Sequence, residues 1–206
     1  MHLLYLHGFR SSPGSFKARR LQAWLAAHRP DVLWWCPQLP PSPADAWALI
    51  ARGIAGWPKA HMAVVGSSLG GFYATAVAEI TGCRAMLLNP AVDPARDLAV
   101  YIGEQTQFHR PEETFFFRPE YIAELQALRV PALTRLARYG AVIAQGDEVL
   151  DWREMLGLFG PAAPATVRLL PGSDHAMSDF DAHLPFILQF LNLQDKPDPV
   201  TTGCQA

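Results

Sequence analysis

Short apolar runs recur along the chain, and most lead into a stretch with helical spacing. The runs are LLYL (3–6), VLWW (32–35), MAVVG (62–66), AMLLN (85–89), AVIAQG (141–146) and TVRLLPG (166–172). They do not alternate apolar with polar positions. Near-continuous apolarity over so few residues, stopped by Gly or Pro, is the pattern of strands buried on both faces. Between the runs, SFKARRLQAWLAAH (15–28) sets Phe16, Leu21, Trp24 and Leu25 near helical spacing. Further helices are predicted around 44–56, over 69–80 and over 180–191. Run and helix in repetition build βαβ units. The expected architecture is therefore α/β in three layers: about six mostly parallel strands with helices on both faces.

Two regions break the rhythm. Residues 90–135 exceed what one crossover needs and contain EQTQFHRPEETFFFRPEYIAEL, predicted as an irregular insertion with a short helix over 119–129. The stretch from Gln194, QDKPDPVTTGCQA, is polar and proline-containing, the composition of a disordered tail. The expected organisation is a single domain over 1–193, a cap at about 90–135 and a tail over 194–206.

Composition narrows the function classes. With 206 residues, half of them hydrophobic and 17% charged, the chain is globular and long enough to bury a sizeable core. A net charge of −2 does not favour a nucleic acid or an anionic membrane as partner. Cys36, Cys83 and Cys204 stand at unrelated spacings, neither a disulfide framework nor a metal knuckle. No apolar run reaches the roughly 18 residues of a membrane span. The opening MHLLYLHG is too short and too uncharged for a secretory signal. A cytoplasmic enzyme is expected, monomer or homodimer, with edge strands and exposed tryptophans as the means of dimerising.

The chemistry begins at Gly66-Ser67-Ser68-Leu69-Gly70, a G-x-S-x-G pattern. Alone it is a weak signal. Here it falls directly after MAVV and directly before a helical stretch, the strand–turn–helix context the motif requires. Such a turn lifts the serine hydroxyl beyond the sheet edge and aims the helix N-terminus at charge forming there. Ser67 is out of register for this role.

A serine hydroxyl needs a histidine base, and the imidazole needs a carboxylate to fix its tautomer. In a doubly wound sheet these groups follow in the order serine, acid, histidine, each just after a strand. Of seven histidines, only His175, in LLPGSDHAMS, lies in a loop between the last strand and the closing helix. After the fifth run, Asp147 follows Gly146 directly and is favoured over Asp151, which reads as a helix cap. Asp93 is a weaker competitor, and Asp174 reads as a loop hydrogen-bonding residue. Two backbone donors are needed for an oxyanion: Leu69, after the serine, and Phe9, in the HGF loop after the first strand. His7 is expected to brace that loop.

With these residues placed, the chain resembles the α/β-hydrolase superfamily and, within it, the small bacterial YqiA-like esterases. The matching stretches are LYLHGFRSSPGSFKA (4–18), VVGSSLGGFYAT (64–75), LLNPAV (87–92), QGDEVLDWRE (145–154) and GSDHAMSDF (172–180). The resemblance implies a minimal α/β-hydrolase fold and a serine esterase for short- to medium-chain carboxylic esters, with acyl thioesters such as acyl-CoA in range. It carries nucleophile, acid and base onto Ser68, Asp147 and His175. Arg10 stands where asparagine is expected in this family.

The expected partner is a small acyl ester or thioester, and no metal or organic cofactor is called for. Phe108, Phe115, Phe116, Phe117 and Tyr121 are candidates to line an acyl pocket under the cap, with core packing the alternative for some of them. Lys17, Arg19 and Arg20 read as a solvated helix face rather than a phosphate site. Two other functions share the pattern: acyl transfer by the same triad, and a hydrolase-shaped binding or signalling module without turnover.

Overall fold

The computed structural model describes residues 1–108, 110–160 and 166–194; the rest of the predicted tail lies outside the described residues. The chain runs β1 (His2–Leu6), α1 (Phe16–His28), β2 (Leu33–Trp35), α2 (Pro43–Ile54), β3 (Met62–Ser67), α3 (Leu69–Thr81) and β4 (Arg84–Leu88). Then come α4 (Pro94–Asp97), β5 (Gly103–Gln107), β6 (Arg110–Phe117) and α5 (Glu120–Ala127). The chain continues through β7 (Tyr139–Ala144), α6 (Trp152–Gly157), β8 (Val167–Leu170) and α7 (Phe180–Phe190). All six predicted runs contribute a strand to one sheet, in the order β2-β1-β3-β4-β7-β8, and every adjacent pair is parallel.

Alternate residues of each strand feed opposite layers, which is why the runs are apolar throughout. Leu4, Leu6, Val64, Leu87 and Ile143 pack with Ile50 of α2, with Tyr73 and Val77 of α3 and with Met155 of α6. Their sequence neighbours Leu3, Tyr5, Val65, Met86, Leu88 and Val142 pack on the other face against Leu21 and Leu25 of α1 and Phe180 and Ile187 of α7. Local chemistry sets the helix ends. The Ser42 side chain accepts the Asp45 N–H at 3.1 Å, with Pro43 in the first turn of α2. Gly82, left-handed at φ 77°, closes α3. All six tryptophans are half-buried, not exposed as expected. Among the described residues, no helix is long and apolar enough to cross a membrane.

The insertion departs from expectation. It is not irregular up to its helix: β5 and β6 pair antiparallel, with Gly103 opposite Phe117 and Gln105 opposite Phe115. The three successive phenylalanines therefore obey the period of two of a strand. Phe115 and Phe117 face inward onto Phe9, at ring-centroid distances of 5.8 and 5.1 Å. Phe116 faces solvent and is 57% exposed, while Phe117 is 1% exposed. The predicted short helix is α5, tied to α2 by Glu124, which accepts from the Ser42 hydroxyl at 2.8 Å and the Ala44 N–H at 2.9 Å. Phe117→Ala is expected to destabilise the fold by about 3–5 kcal/mol. Phe116→Ala should stay within about 0.5 kcal/mol. Denaturant midpoints at constant slope measure both.

Candidate active site

The chain leaves β1 for β2 on one side and reaches β3 on the other, so β1 and β3 flank the point where strand order reverses. Loops diverge there at the carboxyl ends and open a crevice. The loop after β1 carries His7-Gly8-Phe9-Arg10, and the turn after β3 carries Ser68.

Ser68 sits at φ 55°, ψ −123°, a conformation an L-residue adopts only under strain of about 1–3 kcal/mol. Three backbone hydrogen bonds hold it. Its N–H donates to the Leu88 carbonyl at 3.0 Å, and its carbonyl accepts from Gly71 at 2.8 Å and Ala91 at 3.0 Å. The flanking glycines are required by close approach. A Cβ on Gly66 would collide with the Gly70 carbonyl, and one on Gly70 with the Leu6 carbonyl of β1. Leu69 opens α3, where an N–H has no helical acceptor behind it.

Asp147 and His175 meet. The imidazole Nδ1–H donates to Asp147 Oδ2 at 2.7 Å, and the Asp147 side chain is fully buried. The other carboxylate oxygen accepts the N–H groups of Val149 and Leu150, both at 2.8 Å. A buried carboxylate is tolerable only with its oxygens satisfied in this way. The competing acids do other work. Asp151 caps α6 by accepting the Arg153 N–H, Asp93 caps α4 by accepting the Arg96 N–H, and Asp174 bonds Ser178 through its hydroxyl and N–H. His7 is a buried brace: Nδ1–H donates to the Gly8 carbonyl at 3.0 Å and Nε2 accepts the Leu39 N–H at 3.1 Å.

Ser68 and His175 line one cavity of about 460 Å³, together with Phe9, Phe16, Phe108 and Val149. A second cavity of about 280 Å³ adjoins it across Phe9, walled by Leu39, Leu69, Tyr73 and Phe115. The five aromatic candidates thus divide. Phe108 lines the first cavity and Phe115 the second, whereas Phe116 points to solvent and Phe117 is core. Tyr121 packs edge-on against Phe117 at 5.4 Å. Arg10 clasps the hairpin over the crevice: Nε donates to the Thr106 carbonyl at 2.7 Å, Nη2 to its hydroxyl at 2.9 Å, and the guanidinium lies 4.5 Å over the Phe108 ring.

Sequence reasoning missed three residues that hold the histidine loop. Asn89, fully buried, accepts the Ala144 N–H at 2.8 Å and donates to the carbonyls of Asp174 and His175 at 3.1 and 3.2 Å. Glu148 accepts the His175 N–H at 3.0 Å. Lys17, expected on a solvated face, is only 8% exposed and donates to the Ala176 carbonyl at 2.7 Å. The only sequence signal for Asn89 was its place at a strand end before a proline; Lys17 gave none, because a lysine in a helix is ordinarily solvated.

The sequence model of the uncharacterised protein family UPF0227 matches residues 2–192. The chain belongs to UPF0227. Solved structures resemble this family member over nearly its whole length. A putative hydrolase from Agrobacterium vitis S4 is 18% identical, covers 92% of this chain and 87% of its own, and superposes with a TM-score of 0.72. Alpha/beta hydrolase domain-containing protein 10 from mouse is 14% identical, with 91% and 87% covered and a TM-score of 0.67. Est1E from Butyrivibrio proteoclasticus is 15% identical, with 93% and 88% covered and a TM-score of 0.65. The fold of this UPF0227 member is the α/β-hydrolase fold, as the resemblance implied.

Gly70→Ala is expected to cost about 3 kcal/mol or more, because the clash is with backbone and α3 must move. Gly56→Ala, where a Cβ would meet nothing within 4 Å, should change stability by less than about 0.5 kcal/mol. Urea unfolding of the two variants checks the contrast.

Proposed function

We propose that the protein is a serine hydrolase that cleaves short- to medium-chain carboxylic esters or acyl thioesters through an acyl-enzyme on Ser68. One observation carries this reading: His175, bonded at 2.7 Å to a fully buried Asp147, shares a cavity with a serine held on a strained strand-to-helix turn.

The bond from Nδ1–H to Asp147 fixes the tautomer, leaving the Nε2 lone pair for the Ser68 proton. As the serine oxygen attacks the acyl carbon, that proton passes to His175. The N–H groups of Leu69 and Phe9 receive the oxyanion, a stabilisation that costs about 100- to 1000-fold in rate when one donor is lost. His175 then protonates the departing alkoxide or thiolate. In the second half, His175 takes a proton from water, the hydroxide attacks the acyl-enzyme, and Ser68 leaves with the proton returned. Phe108, Phe16 and Val149 supply apolar wall beside the nucleophile. Residues 90–135 act as the cap of a catalytic unit spanning 1–193.

A fluorophosphonate probe should add once to the protein, and the addition should vanish in Ser68→Ala. Intact mass reads this directly. Turnover of p-nitrophenyl esters should peak between acetate and decanoate, and Asp147→Asn should lower kcat about 10³- to 10⁴-fold. Folded protein that neither labels nor turns over any ester is a binding module instead. Products formed with competing alcohols would mark acyl transfer.

A further inference from the structure

Among the described residues, Lys17 is the one lysine buried beside the candidate nucleophile's cavity, and the mechanism above does not use it. It stands in the first turn of α1 and reaches across the fold to the loop between β8 and α7. Its ammonium donates to the Ala176 carbonyl at 2.7 Å and lies 3.5 Å from the His175 carbonyl. That loop needs holding. Ser173 and Met177, two residues either side of His175, are both left-handed at φ 59° and 51°. Two non-glycine residues in that region store strain that only surrounding contacts keep in place. The carbonyls between them turn inward: Asn89 takes those of Asp174 and His175 from one side, and Lys17 takes that of Ala176 from the other.

Resting on the serine-hydrolase reading, we propose that Lys17 is a positioning residue for His175: its buried ammonium, bonded to the loop carbonyls, fixes the imidazole against Ser68. A lysine there is costly to the fold, since burial disfavours its charge. An apolar side chain would fill the same space without that cost but would leave the Ala176 carbonyl without its donor.

A titration signature follows. Desolvation pulls the Lys17 pKa from the usual lysine range down to about 8, against the opposing charges of Asp174 and Asp147. Tyr5 of β1 and His7 just after it, with Glu148 and His175, are the other titratable groups lining the cavity beside Lys17. Below that value the bond to Ala176 is charge-assisted. Above it the amine is neutral and the bond weakens, so the contribution of this bond to activity is present at lower pH and lost as pH rises through about 8.

The test measures kcat and KM for a p-nitrophenyl ester from pH 6 to 10 in the wild type, Lys17→Met and Lys17→Arg. Wild-type kcat should fall about 5-fold through pH 8 while KM stays nearly constant, the loss of one charge-assisted bond. Lys17→Met should lower kcat about 10- to 100-fold at pH 7, as for a slightly misplaced base, and flatten the alkaline limb. Lys17→Arg, still charged at pH 10, should recover most of kcat with the limb also flattened. A merely structural role would lower the melting temperature of Lys17→Met but leave kcat per folded molecule and the pH profile as in the wild type. That outcome, or a flat wild-type profile, overturns the inference while leaving the hydrolase reading intact. If Lys17→Met does not fold, the wild-type rate of fluorophosphonate labelling against pH still decides. Wild-type protein that never labels overturns the hydrolase reading, and this inference with it.

Discussion

Helix α3 lies so close to β1 that a single methyl group on Gly70 would overlap the Leu6 carbonyl. This approach goes with a sharp reversal at the carboxyl end of β3, where Ser68 sits at positive φ. Because β1 and β3 flank the topological switch point, the same closeness sets the Phe9 loop beside the serine. The hairpin β5–β6 then rests on Phe9 through Phe115 and Phe117, and Arg10 ties down its tip. The Ser68 turn, the Phe9 loop and the hairpin are thus brought together where helix and strand approach as closely as glycine permits.

Asp147 and His175 are located by a different device. Three carboxyl-end loops are stitched by polar contacts rather than by packing. Asn89 at the end of β4 reaches both the end of β7 and the loop after β8. Gly146 lets the Asp147 loop pass so near the His175 loop that a Cβ there would strike the Ser173 carbonyl. Its N–H donates to the Gly172 carbonyl at 3.2 Å. The site is therefore dense in buried polar groups whose value lies in geometry, since a buried polar group contributes little net stability once satisfied.

The sheet was legible because a strand covered on both faces leaves no polar positions, and six such runs are hard to read otherwise. The meeting of Asp147 with His175, beside the cavity that Ser68 lines, was legible for a topological reason: all three stand in the turns and loops that follow strands of one parallel sheet, at its carboxyl end. The hairpin was not. RPEETFFF looks irregular because one of its three phenylalanines faces solvent while its polar start is exposed, so neither alternation nor continuity is clean. The aromatic candidates divided for the same reason: which phenylalanine of β6 faces inward depends on register with β5. Lys17 and Asn89 were invisible as site residues because their partners are main-chain carbonyls and amides more than 50 residues away, which no side-chain pattern records.

The central claim is that Ser68, His175 and the amides of Leu69 and Phe9 form one reacting centre. A crystal structure of the protein after reaction with a fluorophosphonate tests it most directly. The account predicts phosphorus bonded to Ser68 Oγ, with the phosphoryl oxygen about 2.7–3.1 Å from both amide nitrogens and His175 Nε2 facing the serine oxygen. An adduct on another residue, or a phosphoryl oxygen turned away from both amides, would contradict it.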